Sequence, residues 1–277
     1  MILVTGATGF IGKHLTSDLA ARGYAVVPHS SKDGDLSHQK LEYPDVSHVF
    51  HLAGRSFVPD SWADPRSFYQ VNLLGAVNVL EFCRRTGAGL THVSSYVYGR
   101  PLQIPVAEDH PVQAFNPYSH SKILAEDACR FYSAQHGLRI SIVRPFNIYG
   151  PGQDARFLIP TLVRQALDPD SSTIEVADDR PRRDFLYVSD LIRLLVATLE
   201  KNGSGVYNAG SGVSIGVGEI VDTLNTLVPR PKKLVSRGEQ RSQEVFDLAA
   251  DIAKAARELD WKPSVTMAAG LAQIMAR

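Results

Sequence analysis

Tyr118 and Lys122 stand four residues apart in Asn116-Pro117-Tyr118-Ser119-His120-Ser121-Lys122. The Asn-Pro start and the apolar positions Leu124, Ala128 and Phe131 predict a helix from there to about His136. Four residues along a helix bring two side chains to one face, so an ammonium would stand near a phenol and lower its pKa towards neutrality. Such a phenol could pass a proton to or from a substrate oxygen. Ser94 supplies a second hydroxyl. It ends the run Leu90 to Ser94, a predicted strand, and leads into Ser95-Tyr96-Val97-Tyr98-Gly99, so hydroxyls gather at a strand's carboxyl end. A Tyr and a Lys at this spacing are common by accident, and their meaning depends on the elements around them.

The first of those elements is Val4-Thr5-Gly6-Ala7-Thr8-Gly9-Phe10-Ile11-Gly12, which follows an apolar start and runs into a segment with Ile11, Leu15 and Leu19 four apart. That pattern reads strand, glycine turn, helix. Gly6 permits the turn, Gly9 leaves room for a pyrophosphate, and Gly12 lets the helix approach the strand, with free N–H groups facing an anion. A dinucleotide fits there. Tyr24 to His29 is a second predicted strand, followed by Ser30-Ser31-Lys32 where an NAD site usually has a carboxylate for the ribose 2′-hydroxyl. Serines and a cation suit a 2′-phosphate, so NADP is favoured, with NAD as the alternative. Asp35 and Leu36 are placed to flank the adenine. Val46 to Leu52 is the next strand, and Ala53-Gly54 gives backbone room beside the cofactor. With a nicotinamide present, Tyr118 would trade a proton with a substrate oxygen. Ser94 would bind the same oxygen, and Lys122 would hold the ribose while hydride moves between cofactor and carbon.

The rest of the chain continues the alternation. Pro59 to Pro65 reads as a loop, and Phe68 to Arg85 as one helix too apolar for a single buried stripe, with Asn72 and Asn78 interrupting it. Leu138 to Arg144 is a strand, Arg156 to Ala166 a helix, and Ile174 to Ala177 a short strand. Val188 to Leu199 and Gly216 to Val228 are amphipathic helices expected to return to the sheet, and two more surround Trp261-Lys262-Pro263. The expected fold is α/β: a doubly wound parallel sheet of Rossmann type over residues 1–150, with a smaller C-terminal substrate lobe over 151–277.

Composition narrows the function. In 277 residues, Lys+Arg and Asp+Glu each total 29, so no overall basic field recruits nucleic acid or a membrane surface. An anionic ligand must therefore be held locally. Arg183, in the uncompensated run Arg182-Arg183-Asp184, is the first choice for a diphosphate, with Arg241 second. No metal-ligand cluster is visible. Cys83 and Cys129 both lie in helical segments, which favours buried thiols and a reducing compartment. With the first strand starting at the initiator methionine and no apolar segment long enough to span a bilayer, a cytoplasmic protein is expected.

Several of these stretches together resemble the extended short-chain dehydrogenase/reductase family, in particular its nucleotide-sugar epimerases, dehydratases and reductases. The resemblance spans nearly the whole chain. It rests on Thr5 to Gly12, His51-Leu52-Ala53-Gly54, Tyr69-Gln70-Val71-Asn72, Ser94-Ser95 before Val97-Tyr98-Gly99, and Tyr118 with Lys122. Further on it rests on Arg144 to Gly152, Arg183-Asp184-Phe185 and Leu259 to Pro263. It implies that Ser94 and Tyr118 are the catalytic hydroxyls and that Lys122 serves the ribose. It adds Phe10, Ile11, Leu52, Asn72 and Pro145 to the cofactor site, and Ser95, Tyr96 and Asn147 to the site of a nucleotide-diphosphate sugar. It also implies a homodimer through a four-helix bundle made by Phe68 to Arg85 and Ser121 to His136. The 4,6-dehydratases of that family have an Asp-Glu pair where this chain has Ser95 and Tyr96, which disfavours water elimination. Reduction of a 4-keto-6-deoxy sugar is expected, with NAD-dependent 4-epimerisation as the alternative.

Overall fold

The computed structural model describes residues 1–239 and 245–276. β1 (Ile2–Thr5) is buried at every position and passes through the glycine turn into α1 (Phe10–Ala21), which buries Gly12, Leu15 and Leu19. β2 (Val26–His29) and β3 (His48–His51) pair with β1 on either side, both parallel. Next comes α2 (Val58–Ala63), where a loop was expected. Pro59 falls in its first turn and Pro65 opens α3 (Pro65–Phe68); both are places where the missing proline N–H costs nothing. The single helix expected over Phe68 to Arg85 is instead a π-helical turn at Tyr69–Leu74 followed by α4 (Gly75–Thr86). The wider turn carries Asn72 into the interior, where its amide is fully engaged.

β4 (Gly89–Val93), α5 (Pro117–His136), β5 (Ile140–Pro145) and β6 (Asn147–Tyr149) follow. Then come α6 (Leu158–Leu167), β7 (Thr173–Val176), β8 (Arg182–Tyr187) and α7 (Val188–Glu200). The chain continues through β9 (Gly205–Ala209), β10 (Ser214–Gly216), α8 (Val217–Asn225) and β11 (Lys233–Ser236) to α9 (Ala253–Leu259) and α10 (Met267–Met275). α6 starts two residues later than Arg156 because Asp154 takes both the Arg156 N–H and its guanidinium in the preceding turn.

The main sheet has six parallel strands in the order β2-β1-β3-β4-β5-β9. The order reverses between β1 and β3, so a crevice opens at their carboxyl ends, beside the glycine turn. One face of the sheet packs Leu3, Val49, Leu90 and Ile142 against Val79, Leu80, Phe82 and Cys129. The other packs Val4, Phe50, Val93 and Val143 against Leu15, Leu19 and α7 residues such as Leu191 and Leu195. Thus β9 and α7, both beyond residue 150, complete the sheet layer. α8 does not return to it; it rests on α6, α10 and β10, beside the small sheets β10-β8-β6 and β11-β7.

Candidate active site

The glycine turn is fixed by close packing. Gly6 has φ +71°, and a Cβ there would stand 2.7 Å from the Ala53 backbone nitrogen; a Cβ on Gly12 would fall on the Gly6 carbonyl and within 2.8 Å of Ala7 Cα. Gly9, at the N-cap position of α1, gives no side-chain cap, and the first turn of the helix has no acidic residue. Its N–H groups therefore face the crevice at the sheet's switch point, an anion cradle that fits a dinucleotide pyrophosphate. Phe10 and His14 lie at the rim, where His14 Nε2 meets the Pro151 carbonyl at 2.9 Å. Past β2, Ser30 is not free to face a ligand unassisted: Asp33 Oδ2 accepts both its N–H and its hydroxyl, each at 2.8 Å. A carboxylate thus stands beside Ser30, Ser31 and Lys32 after all, folded back by a turn that consecutive reading of the sequence does not reveal. Asp35 takes the Ser37 N–H and hydroxyl, while Leu36 is buried and its carbonyl accepts Asn78 Nδ2 at 2.6 Å.

At the nicotinamide end, Asn72 organises the approach. Its Oδ1 accepts the Arg55 N–H at 2.8 Å, and its Nδ2 donates to the Arg55 carbonyl and to Ser121 Oγ. The turn after Leu52 and Ala53 is thereby tied to α5, with Gly54 close against both Asn72 and Lys122. α5 itself is set by a capping box, Asn116 Oδ1 accepting the Ser119 N–H at 2.8 Å, and Tyr118 and Lys122 fall in its first two turns. Lys122 is buried and donates Nζ to the Val93 carbonyl at 2.9 Å. Burial pulls its pKa down to about 8, against the opposing pull of Glu126. The expected lowering of the Tyr118 phenol by Lys122 is not seen. Burial raises that phenol, and the influence working against burial is a hydrogen bond with the Ser95 side chain. Ser94 is buried and gives its proton to Glu126 Oε1 at 2.6 Å. Both serines therefore end at this cluster, Ser94 bonded to Glu126 and Ser95 near Tyr118.

On the substrate side, β8 presents Arg183, whose Nη1 donates to the Arg182 carbonyl at 2.8 Å. Arg183 lies near enough to Tyr96 to lower its phenol, although burial, the larger effect, raises it. Asn147 donates Nδ2 to the Asp184 carbonyl at 3.0 Å. Pro145 ends β5 at the same rim. Arg241 lies outside the described residues. The sequence reading missed the contact between the loop after β3 and the loop after β6: Arg156 sits 4.0 Å over the Phe57 ring, and Phe57 meets Phe157 edge to face. It also missed Glu126, whose spacing of four after Lys122 was an available signal. Among the described residues no group of three or more His, Cys, Asp or Glu could hold a metal ion, and both cysteines are buried thiols. No helix among them is long and apolar enough to cross a membrane.

A protein-family model described as the NAD dependent epimerase/dehydratase family matches residues 2–210. The chain belongs to this family. It is 32% identical to GDP-6-deoxy-D-mannose reductase of Pseudomonas aeruginosa, covering 99% of this chain and 95% of the relative. It is 30% identical to a putative UDP-glucose 4-epimerase of Methanocaldococcus jannaschii, covering 99% and 97%. Among solved structures, RMD from Pseudomonas aeruginosa complexed with NADPH superposes with a TM-score of 0.91 at 30% identity, covering 99% of this chain and 97% of that one. The Rossmann-type fold and the family expected from the sequence are thereby established.

Proposed function

We propose that this epimerase/dehydratase family member reduces a 4-keto-6-deoxy nucleotide-diphosphate sugar at the 4-position with NADPH. The carrying observation is the character of the cluster: two serine hydroxyls and a tyrosine at the end of β4 and the start of α5, beside a buried lysine. Its nearby carboxylate, Glu126, is tied to Arg144 and Arg130. That set can hydrogen-bond and protonate a sugar oxygen, but it has no mobile acid and base pair to expel water. When bound, the cofactor supplies hydride. Tyr118 delivers a proton to the sugar oxygen, Ser94 and Ser95 lie beside that phenol, and Lys122 holds the ribose. Arg183 and Asn147 are assigned to the diphosphate. The likeness to a named reductase over the full chain supports this reading.

A second reading, an NAD-retaining 4-epimerase, is favoured by Asp33. Its carboxylate beside Ser30 would accept a ribose 2′-hydroxyl and repel a 2′-phosphate. We assign the cytoplasm as the setting, from the two buried thiols, and a homodimer through α5 and the segment formed by the Tyr69–Leu74 turn and α4, where Phe131 and Leu74 are exposed. The test of the reaction is spectrophotometric. Stoichiometric loss of NADPH absorbance on adding a 4-keto-6-deoxy sugar nucleotide supports reduction. Interconversion of a saturated nucleotide sugar with no added cofactor overturns it in favour of epimerisation.

A further inference from the structure

Tyr118, Lys122 and Glu126 occupy successive turns of one face of α5. Glu126 moves neither proton nor hydride in the reaction above, yet it is wholly buried. An isolated carboxylate there would be costly, and this one is answered on both oxygens. Oε1 accepts Ser94 Oγ at 2.6 Å and Arg144 Nε at 2.9 Å; Oε2 accepts Arg144 Nη2 and Arg130 Nη2, each at 2.6 Å. The arginines account for the charge. They do not account for the serine, which has one proton and, by donating it to Glu126, keeps only lone pairs for anything on its other side. Arg144 holds the carboxylate in register from β5, stacked 4.7 Å over the Tyr98 ring and donating Nη1 to the Glu108 carbonyl at 3.2 Å.

We propose that Glu126 is a positioning residue that fixes Ser94 as a hydrogen-bond acceptor at the reacting oxygen and keeps an anion one turn below Lys122. The proposal rests on Ser94 and Lys122 serving the hydride step, and not on which sugar is used. A keto oxygen can only accept, so it takes its hydrogen bond from Tyr118. Ser94 receives the hydroxyl of the sugar alcohol. The groups facing Lys122 are Tyr118, Glu126 and Cys129 on α5, with His51 on β3 and His92 on β4. Burial keeps the two histidines and the cysteine uncharged at neutral pH, which leaves Glu126 as the charge that supports the ammonium.

The test uses Glu126→Asp and Glu126→Gln, each alone and combined with Ser94→Ala, with folding checked by thermal melting. Glu126→Asp keeps the charge for the arginines but withdraws the carboxylate from Ser94, so it serves even where the Gln variant does not fold. Two measurements are made: kcat and KM with the nucleotide sugar that the wild type turns over, and NADPH affinity by fluorescence titration across pH, which needs no sugar. Glu126→Asp is expected to lower kcat roughly 10-fold or more with KM little changed, and to cost less than about 2-fold when Ser94 is already Ala. In Glu126→Gln, the loss of NADPH affinity at high pH should set in about one pH unit lower than in the wild type. Losses that multiply in the double variant, or affinity curves that superimpose, overturn the positioning role. If the wild type reduces no nucleotide sugar, the reaction proposed above fails, and the titration still decides the role of Glu126.

Discussion

Tyr118 and Lys122 were legible in the sequence because helix periodicity alone puts them on one face, and the structure brings both to the crevice end of the sheet. What could not be read was where each hydroxyl points. Ser94 and Ser95 are neighbours at the end of β4, where strand alternation stops governing direction; the Ser94 side chain goes to Glu126, and Ser95 stands near enough to Tyr118 to work against its burial. Asp33 stands directly after Lys32 in the sequence; what could not be read was the turn that returns its carboxylate to Ser30, three residues back. Two outcomes follow at this scale. Tyr118→Phe removes the proton but keeps the ring, so kcat should fall roughly 100-fold or more while NADPH affinity, read by fluorescence, stays within about 2-fold. Activity near the wild-type level would remove Tyr118 from the chemistry. Arg183→Ala should raise the KM for the nucleotide sugar far more than it lowers kcat, since a diphosphate contact is made equally in ground and transition states. Equal losses in both would place Arg183 elsewhere.

Element by element, β1 to β5 of the main sheet and α5 were readable within a few residues, because buried strands and a capped amphipathic helix are governed by local pattern, whereas β9, the sixth strand, was not identified. The stretch from Phe57 to Thr86 was not. Prolines that look like loop signals start α2 and α3 instead, and the π-helical turn at Tyr69–Leu74 exists to bring Asn72 to Arg55 and Ser121, contacts distant in sequence. α5 depends on its first turn both for stability and for the placement of Tyr118. Asn116→Ala removes the cap and is expected to cost about 1 kcal/mol of unfolding free energy. Because Tyr118 lies two residues into the helix, kcat should fall as well, while the KM for the sugar changes less. A denaturation curve identical to the wild type would show that the cap contributes nothing.

Across the whole molecule, the sheet is where binding, chemistry and stability meet, and its centre carries buried histidines. Burial lowers His48 and His51 from 6.5 to about 3 and His92 well below its ordinary value, and neither ring nitrogen of His92 has a hydrogen-bond partner. The folded state keeps these rings neutral, whereas the unfolded chain protonates them near 6.5. The unfolded state therefore binds more protons between 6.5 and about 3, and stability falls as pH drops through that window. His92→Leu removes one such group, so its melting temperature should decline less steeply than the wild type's between about pH 6.5 and 4.5; equal slopes would contradict this. The division at residue 150 was the sequence's least informative boundary, since β9 joins the main sheet after an excursion through the substrate side, a long-range pairing that local pattern does not encode. What the whole arrangement is proposed to do is deliver hydride to a keto carbon of a nucleotide sugar under the control of Tyr118. Isotope tracing tests that most directly: NADPH carrying deuterium at the transferred position is supplied with a 4-keto-6-deoxy nucleotide sugar, and the product is read by mass and proton NMR. The expected product carries a single deuterium at C4 in one configuration, and Tyr118→Phe makes almost none of it. A product without deuterium at C4, or a sugar interconverted while the labelled cofactor is untouched, would contradict the account.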